Sequence, residues 1–174
     1  MSNSKMKIIE TERLLLREFT EGDAEFIFEL VNEPGWIQNI GDRGVRTLED
    51  ARRFISDKLA ASYAKFGFGL YLVELKETGA SAGMCGLVKR DSLEDVDIGF
   101  AFLEKFWSKG YAFESASAVM DYAQNTLGLK RLAAIVSPDN RGSIKVLEKL
   151  GMHFERMIKM PDDTEEIKFF ARDF

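Results

Sequence analysis

The sequence predicts a mixed α/β domain, and three observations carry that reading. Strand-like apolar runs alternate with helical runs along the chain. Three successive strand-like runs, 68–75, 82–89 and 96–103, are joined by the turn-like segments 78–81 and 91–94, which reads as an antiparallel meander. A glycine turn, Trp107-Ser108-Lys109-Gly110-Tyr111-Ala112, then joins the last of these strands to a strongly helical run over 112–127.

The remaining elements follow in order. Residues 8–19 read as a first strand. Leu14 and Leu16 alternate imperfectly with Arg13, Leu15 and Arg17, so burial on both sides is expected. Thr20-Glu21-Gly22-Asp23 reads as a capping box, and the helix after it places Ala24, Ile27, Phe28, Leu30 and Val31 mostly on one face. Pro34-Gly35 ends that helix. Residues 35–46 read as a loop rich in glycine and polar residues, with Trp36 and Ile40 inside it. Thr47-Leu48-Glu49-Asp50 is a second capping box, opening a helix that buries Ala51, Phe54, Ile55, Leu59 and Ser62. Beyond the long helix come a strand over 132–136 and a short helix over 143–150 that Gly151 terminates. A hairpin of 154–159 with 165–171, across Met160-Pro161-Asp162-Asp163-Thr164, completes the chain. No repeat, linker or low-complexity tract interrupts it, so residues 1–174 read as one domain.

Composition narrows the function. With 174 residues, 45% of them hydrophobic, the chain can bury a sizeable core. A formal net charge of −5 and the lack of a Lys/Arg block argue against nucleic acid as a partner. Cys85 is the single cysteine, which excludes an internal disulfide, and its apolar run marks it as a buried, inert thiol. His153 is the single histidine and no Cys/His cluster exists, so no metal is expected. A Ser-His-Asp arrangement would have to use His153, and no nucleophile elbow accompanies it. No apolar run approaches the ~20 residues of a membrane span. The segment Met1–Lys7 is polar, without the apolar core of a signal peptide. A cytoplasmic protein with no membrane partner follows.

The turn at 107–112 carries the chemistry. The first amides of a helix have no partner inside it, and the helix dipole makes that end electropositive. Gly110 has no side chain, so a phosphate can approach the backbone. The same glycine also suits a plain strand-to-helix turn, and spacing alone leaves both readings open.

A second motif follows the run 132–136: Ser137-Pro138-Asp139-Asn140-Arg141-Gly142-Ser143-Ile144-Lys145-Val146-Leu147-Glu148-Lys149-Leu150-Gly151-Met152. With both motifs in this order, residues 97–154 resemble the acetyl-coenzyme A binding half of the GNAT N-acetyltransferase superfamily. That family's pyrophosphate loop begins with Gln or Arg, then two residues, Gly, any residue, and Gly or Ala. Trp107 stands at the Gln/Arg position here, while Gly110 and Ala112 match. The tryptophan variant is similar to the RimJ/RimL branch of ribosomal-protein N-terminal acetyltransferases. The opening Thr11-Glu12-Arg13-Leu14-Leu15-Leu16-Arg17 also resembles that branch.

The resemblance implies a central, mostly antiparallel sheet of about seven strands flanked by about four helices. Its fourth and fifth strands, 96–103 and 132–136, would splay like a V around acetyl-CoA. The implied activity is direct transfer of the acetyl group to a primary amine in a ternary complex, on a monomer or homodimer. The branch suggests a protein N-terminus as acceptor. The rivals are a small-amine acetyltransferase (polyamine, amino acid or antibiotic) and a non-catalytic acyl-CoA sensor. Another kind of nucleotide-binding domain is disfavoured, because no acidic residue follows a GxGxxG turn and no P-loop lysine pattern exists.

Site residues follow from the same likeness. The cofactor set is Ile98, Gly99 and Phe100 along the pantetheine arm, Trp107, Ser108, Lys109, Gly110, Tyr111 and Ala112 around the diphosphate, and Asn140 with Ser143. Strand alternation places Asp97, Gly99 and Ala101 on one face, small and polar enough to line a cleft. Asp97 is the candidate base. An aspartate near its usual pKa of ~4 is weak towards an amine, so burial or a water relay is required. The alternative is a carboxylate that pairs with a lysine or positions substrate. Asn140 either bonds the pantetheine or caps the following helix. Many superfamily members carry a tyrosine four residues after Ser143, but Leu147 stands there. In the branch this chain resembles, a serine at this place can donate to the leaving thiolate, so the resemblance implies Ser143 as the catalytic donor. Acceptor contacts are expected from Trp36, Gln38 and Asn39 in one loop and Asp162 in another.

Overall fold

A computed structural model describes residues 6–174. Met1–Lys5, most of the polar segment that opens the chain, lies outside the described residues. Strands β1 (Lys7–Glu10), β2 (Leu14–Arg17), β3 (Leu70–Leu75), β4 (Ser81–Val88), β5 (Asp97–Phe102), β6 (Arg131–Val136), β7 (His153–Lys159) and β8 (Glu166–Asp173) form one sheet, ordered β1-β2-β3-β4-β5-β6-β8-β7. Its neighbours are antiparallel except β5 and β6.

The expected first strand is a hairpin. Thr11 makes the turn: its N–H donates to the Leu14 carbonyl at 2.9 Å, and its hydroxyl accepts from the Leu14 N–H at 3.0 Å. Leu14 and Leu16 are fully buried on one face, while Arg17 is buried on the other, where Asp23 and Glu74 take its guanidinium. This buried ion pairing is the form a charge takes inside a protein.

Six helices cover the sheet among the described residues. A 3₁₀ turn, Glu21–Asp23, leads into α1 (Ala24–Val31), with the Asp23 carboxylate accepting from the Thr20 N–H at 2.9 Å. The stretch expected to be loop begins with a helix, α2 (Pro34–Asn39). Pro34 opens it, since a first-turn proline lacks only an N–H that would have no helical partner. Thr47 caps α3 (Leu48–Phe54) by accepting from the Asp50 N–H at 3.0 Å. That helix continues through a π-helical stretch, Ile55–Ala60, into α4 (Ala61–Phe66). The others are α5 (Tyr111–Asn125) and α6 (Arg141–Lys149).

The two faces carry separate cores. Ala116, Val119, Met120 and Ala123 of α5 and Leu147 of α6 pack with Tyr71, Val73, Cys85, Leu87, Ile98 and Phe102. On the other face α1–α3 and the π-helical stretch pack with Leu72, Met84 and Leu103, and Ala101 leans on that cluster. A third group, Ala133, Phe169 and Ala171, joins Leu93 on the β6–β8 half. Cys85 is fully buried, and burial pushes its thiol up to about 12, so it stays protonated. No helix among the described residues is long and apolar enough to cross a membrane.

Candidate functional site

The sheet splits at its one parallel junction. β4 and β5 stay paired along their whole length, as do β6 and β8. β5 and β6 meet in the single register pair Asp97 with Ala133, closed by the Ala133 N–H donating to the Val96 carbonyl at 2.9 Å. From there the strands part towards their C-terminal ends. The resulting gap has a closed end at Asp97 and an open end where α5 and α6 begin. This is the gap expected between the two middle strands, and the outward-facing edge of β5 past Asp97 offers unpaired backbone groups to a ligand.

The open end is built from main chain. Ser108 has φ 61° and Gly110 φ 85°, with Lys109 between them at negative φ. Alternation of this kind curls successive N–H groups around a concavity that suits an anion. The amides from Ser108 through Phe113 make no hydrogen bond among the described residues. Residues Trp107 to Gly110 are exposed, so these donors face solvent at the dipole end of α5. Ser108 is the one non-glycine residue at positive φ among the described residues, and such strain concentrates at ligand sites.

Three contacts hold this loop in shape. The Trp107 indole N–H donates to the Phe102 carbonyl at 2.8 Å, and its ring lies over Gly35, where a Cβ would come within 2.8 Å of it. Trp107 thus brackets β5 to α2. Arg13 reaches across from the β1–β2 turn. Its Nη1 donates to the Lys109 carbonyl at 3.0 Å, its Nε to Glu114 at 2.7 Å, and its guanidinium lies 4.5 Å over the Tyr111 ring. The Glu114 carboxylate also takes the Thr11 hydroxyl at 2.6 Å and the Arg13 N–H at 3.0 Å. The Thr11–Arg13 motif therefore clasps the first turn of α5. The sequence signalled the motif but not this role.

Across the gap Asn140 caps α6, its side-chain oxygen accepting from the Ser143 N–H at 3.2 Å. Its amide NH₂ and the Ser143 hydroxyl have no hydrogen-bond partner among the described residues, and Ser143 is half-buried. Leu147 is core, packed with α5.

The closed end is built from side chains. Ala101 packs towards α1–α3, and Ile98 and Phe102 pack towards α5, so alternation turns Asp97 and Gly99 to the α1–α3 side. Asp97 is 1% exposed. Burial pushes its carboxyl up to about 6, against the opposing pull of Arg90 and Lys89. Arg90 Nε donates to Asp97 Oδ1 at 3.1 Å, so the partner is an arginine rather than the lysine the sequence suggested. Gly99 has ample room: a Cβ there would meet only Leu70 Cδ2, at 3.6 Å. No protein atom demands glycine at this position, which fits a cradle left for a ligand.

The acceptor candidates fall on two elements. Trp36, Gln38 and Asn39 belong to α2. Trp36 is core, and its indole N–H is a buried side-chain donor without an acceptor among the described residues. Gln38 and Asp162, the latter in the β7–β8 turn, are exposed. Arg43, between α2 and α3, feels both Arg90 and Asp163 of that turn. Neither arginine carried a sequence signal, because each gains meaning only from its neighbours in the fold. His153 is exposed at the start of edge strand β7, away from these groups in the sheet order. No group of His, Cys, Asp and Glu that suits a metal occurs among the described residues.

A split sheet with an amide cradle at one end of the split and a buried acid at the other defines an acyl-coenzyme A transferase fold. Residues 13–153 match the family described as acetyltransferase (GNAT) domain, and the chain belongs to it. It is an acetyl-CoA-dependent N-acetyltransferase. Among its relatives is YkkB of Bacillus subtilis, 31% identical over 90% of this chain and 91% of that one. The [ribosomal protein uS5]-alanine N-acetyltransferase of Escherichia coli is 32% identical over 54% of this chain and 48% of its own. A GNAT-family acetyltransferase from Bacillus anthracis superposes with a TM-score of 0.80, at 30% identity over 97% of this chain and 98% of that one.

Proposed function

We propose that the chain moves the acetyl group of acetyl-CoA directly to a primary amine in a ternary complex, and that the amine is a protein N-terminus. One observation carries the reading: a single gap joins an unpartnered amide cradle to a carboxylic acid held near neutrality. The likeness to the enzyme named for the alanine of protein uS5 supports the protein acceptor.

Each residue then has a task. The amides of Ser108 to Ala112 hold the diphosphate of the coenzyme, and the loop needs no side-chain charge to do so. Lys109 adds a cation beside it. The free edge of β5 at Ile98, Gly99 and Phe100 pairs with the pantetheine arm as an added strand, and an amide of that edge polarises the acyl oxygen. Acetyl-CoA supplies the activated acyl carbon when bound. Asp97 takes the proton the amine sheds as the new C–N bond forms, directly or through one water. A carboxyl near 6 is mostly ionised at neutral pH, yet more basic than an ordinary aspartate. Arg90 fixes its orientation. Asn140 holds the turn before α6, and the Ser143 hydroxyl donates to the sulfur as the C–S bond breaks. Gln38, Asn39 and Asp162 line the approach of the acceptor, and Trp36, expected there from the sequence, instead pins α2 to the core.

The test is thiol release from acetyl-CoA against a panel of N-terminal peptides and small amines. Release with peptides is expected. Coenzyme A bound in the gap with no release for any amine would leave an acyl-CoA sensor instead.

A further inference from the structure

Arg17 and Arg131 are saturated, with every side-chain nitrogen on an acceptor, and Arg13 places two of its three. Each ties chain segments distant in sequence to one another. Arg90 does something else. Its Nε holds Asp97 at 3.1 Å, while both terminal nitrogens lack a partner among the described residues, and its side chain is 34% exposed. Its two terminal nitrogens therefore remain available beside the carboxylate it already serves. Arg43 makes no hydrogen bond or ion pair among the described residues, although Arg46, Arg52 and Arg53 nearby each hold an acid. Burial works against the charge of Arg43, the like charge of Arg90 adds to that, and Asp163 opposes both.

Lys89 adds to the same field. Its Nζ donates to the Arg90 and Leu93 carbonyls at 2.8 and 2.6 Å, and its charge bears on Asp97. Lys89 and Arg90 thus both bear on Asp97, in a chain whose net charge is −5. A bare ammonium approaching Asp97 meets like charge, which opposes binding. An amine that also carries an anion meets two open guanidinium forks, the group best suited to carboxylate and phosphate. The same cations favour the neutral form of the bound amine, and only that form attacks an acyl carbon.

We propose that the acceptor carries an anionic group, a carboxylate or phosphate, close to its amine, and that Arg90 and Arg43 bind it. This rests on the transferase reading above and names its substrate class. The anion belongs either to a small amine, such as an amino acid, or to an acidic side chain within the first residues of a peptide.

The experiment measures thiol release from acetyl-CoA with matched pairs. One arm compares amino acids with their amides. The other compares peptides that begin Ala-Glu with peptides that begin Ala-Gln. The acid member of at least one arm is expected to react about 10–100-fold faster in kcat/KM, the range of a charge-assisted hydrogen bond. The arm that discriminates identifies the source of the anion. In Arg43→Ala the acid-to-amide ratio is expected to fall by about tenfold, chiefly through KM, while Arg43→Lys recovers part of it. Equal rates for acid and amide members overturn this proposal and leave the transferase standing. So does an Asp163→Asn variant that lowers the ratio as much as Arg43→Ala does, because Arg43 is then a latch between loops. Absence of release with every amine tested overturns the transferase reading and this one together.

Discussion

The two ends of the splay do opposite things with the same chain. At the open end the working groups are amides, and the residues Trp107 to Gly110 that open the cradle are exposed. At the closed end the working group is one carboxylate, buried to 1% exposure and set in a field of cations. A diphosphate already carries its charge, so the protein needs only oriented dipoles to hold it. An amine must give up a proton, so the protein needs a base whose pKa has been moved, and burial moves it. The difference teaches that binding here is a property of backbone shape and chemistry a property of side-chain surroundings.

Removing the base gives the largest expected effect. Asp97→Asn should lower kcat by about 10²–10⁴-fold, the usual worth of a positioned general base, with little change in acetyl-CoA affinity. In the parent enzyme kcat should rise through a pH of about 6, because Asp97 is active only when ionised and its carboxyl sits there. Arg90 and Lys89 hold that carboxyl below where burial alone would put it. Arg90→Ala should therefore move the inflection upward. An inflection that persists in Asp97→Asn would show that another group is the base, and the contrast between the two ends would collapse.

Disabling the cradle comes next. Gly110→Glu places a side chain at φ 85°, brings a Cβ to 3.3 Å from Arg13 Nη2, and sets a negative charge against a diphosphate. Acetyl-CoA affinity should fall by about 100-fold or more, given ~1.5–3 kcal/mol for each charged hydrogen bond lost, as titration calorimetry would read. Gly110→Ala keeps the strain without the charge and should fall much less. Unchanged affinity in the glutamate variant would move the diphosphate elsewhere.

What the sequence disclosed follows the same division. The open end was legible because its determinants are local: a glycine between a strand and a helix, and Asn140 three residues before Ser143. The gap itself was legible only through family likeness, since nothing in the run 132–136 announces a parallel neighbour. Asp97 was found by alternation, yet Arg90 and Arg43 were missed, because Arg90 is an ordinary turn cation until the fold sets it beside Asp97, and Arg43 an ordinary loop cation until the fold brings it within the field of Arg90. The hairpin at Thr11 was misread as continuous strand for a similar reason. Its turn is secured by Thr11 itself and then by Glu114, over 100 residues away in the chain. The helix α2 was hidden by Pro34, which reads as a stop and works as a start.

A smaller effect is expected at Ser143. Its hydroxyl has no partner among the described residues and stands in the first turn of α6, at the open end. Ser143→Ala should reduce kcat about tenfold, within the ~1.5–3 kcal/mol of a hydrogen bond to a charged group, and leave acetyl-CoA affinity nearly as it was. The loss should shrink with an acyl donor whose thiol has a lower pKa, because such a leaving group has less need of a proton. Equal losses with both donors would remove Ser143 from the chemistry and leave it as part of the cap.

The smallest predicted effect sharpens the contrast most, because it asks whether the cradle is preformed. Arg13 touches the loop at the Lys109 carbonyl and the Tyr111 ring, and pairs with Glu114, yet the free amides do not depend on its charge for their partners. Arg13→Ala removes the clasp and should raise KM for acetyl-CoA about three- to tenfold by letting the loop sample other shapes, with kcat almost untouched. Arg13→Lys keeps a cation but not the fork that reaches Lys109 and Glu114 together, so it should rescue little. If lysine restores KM fully, charge near the diphosphate is what matters, and the open end would then rely on side-chain electrostatics as the closed end does.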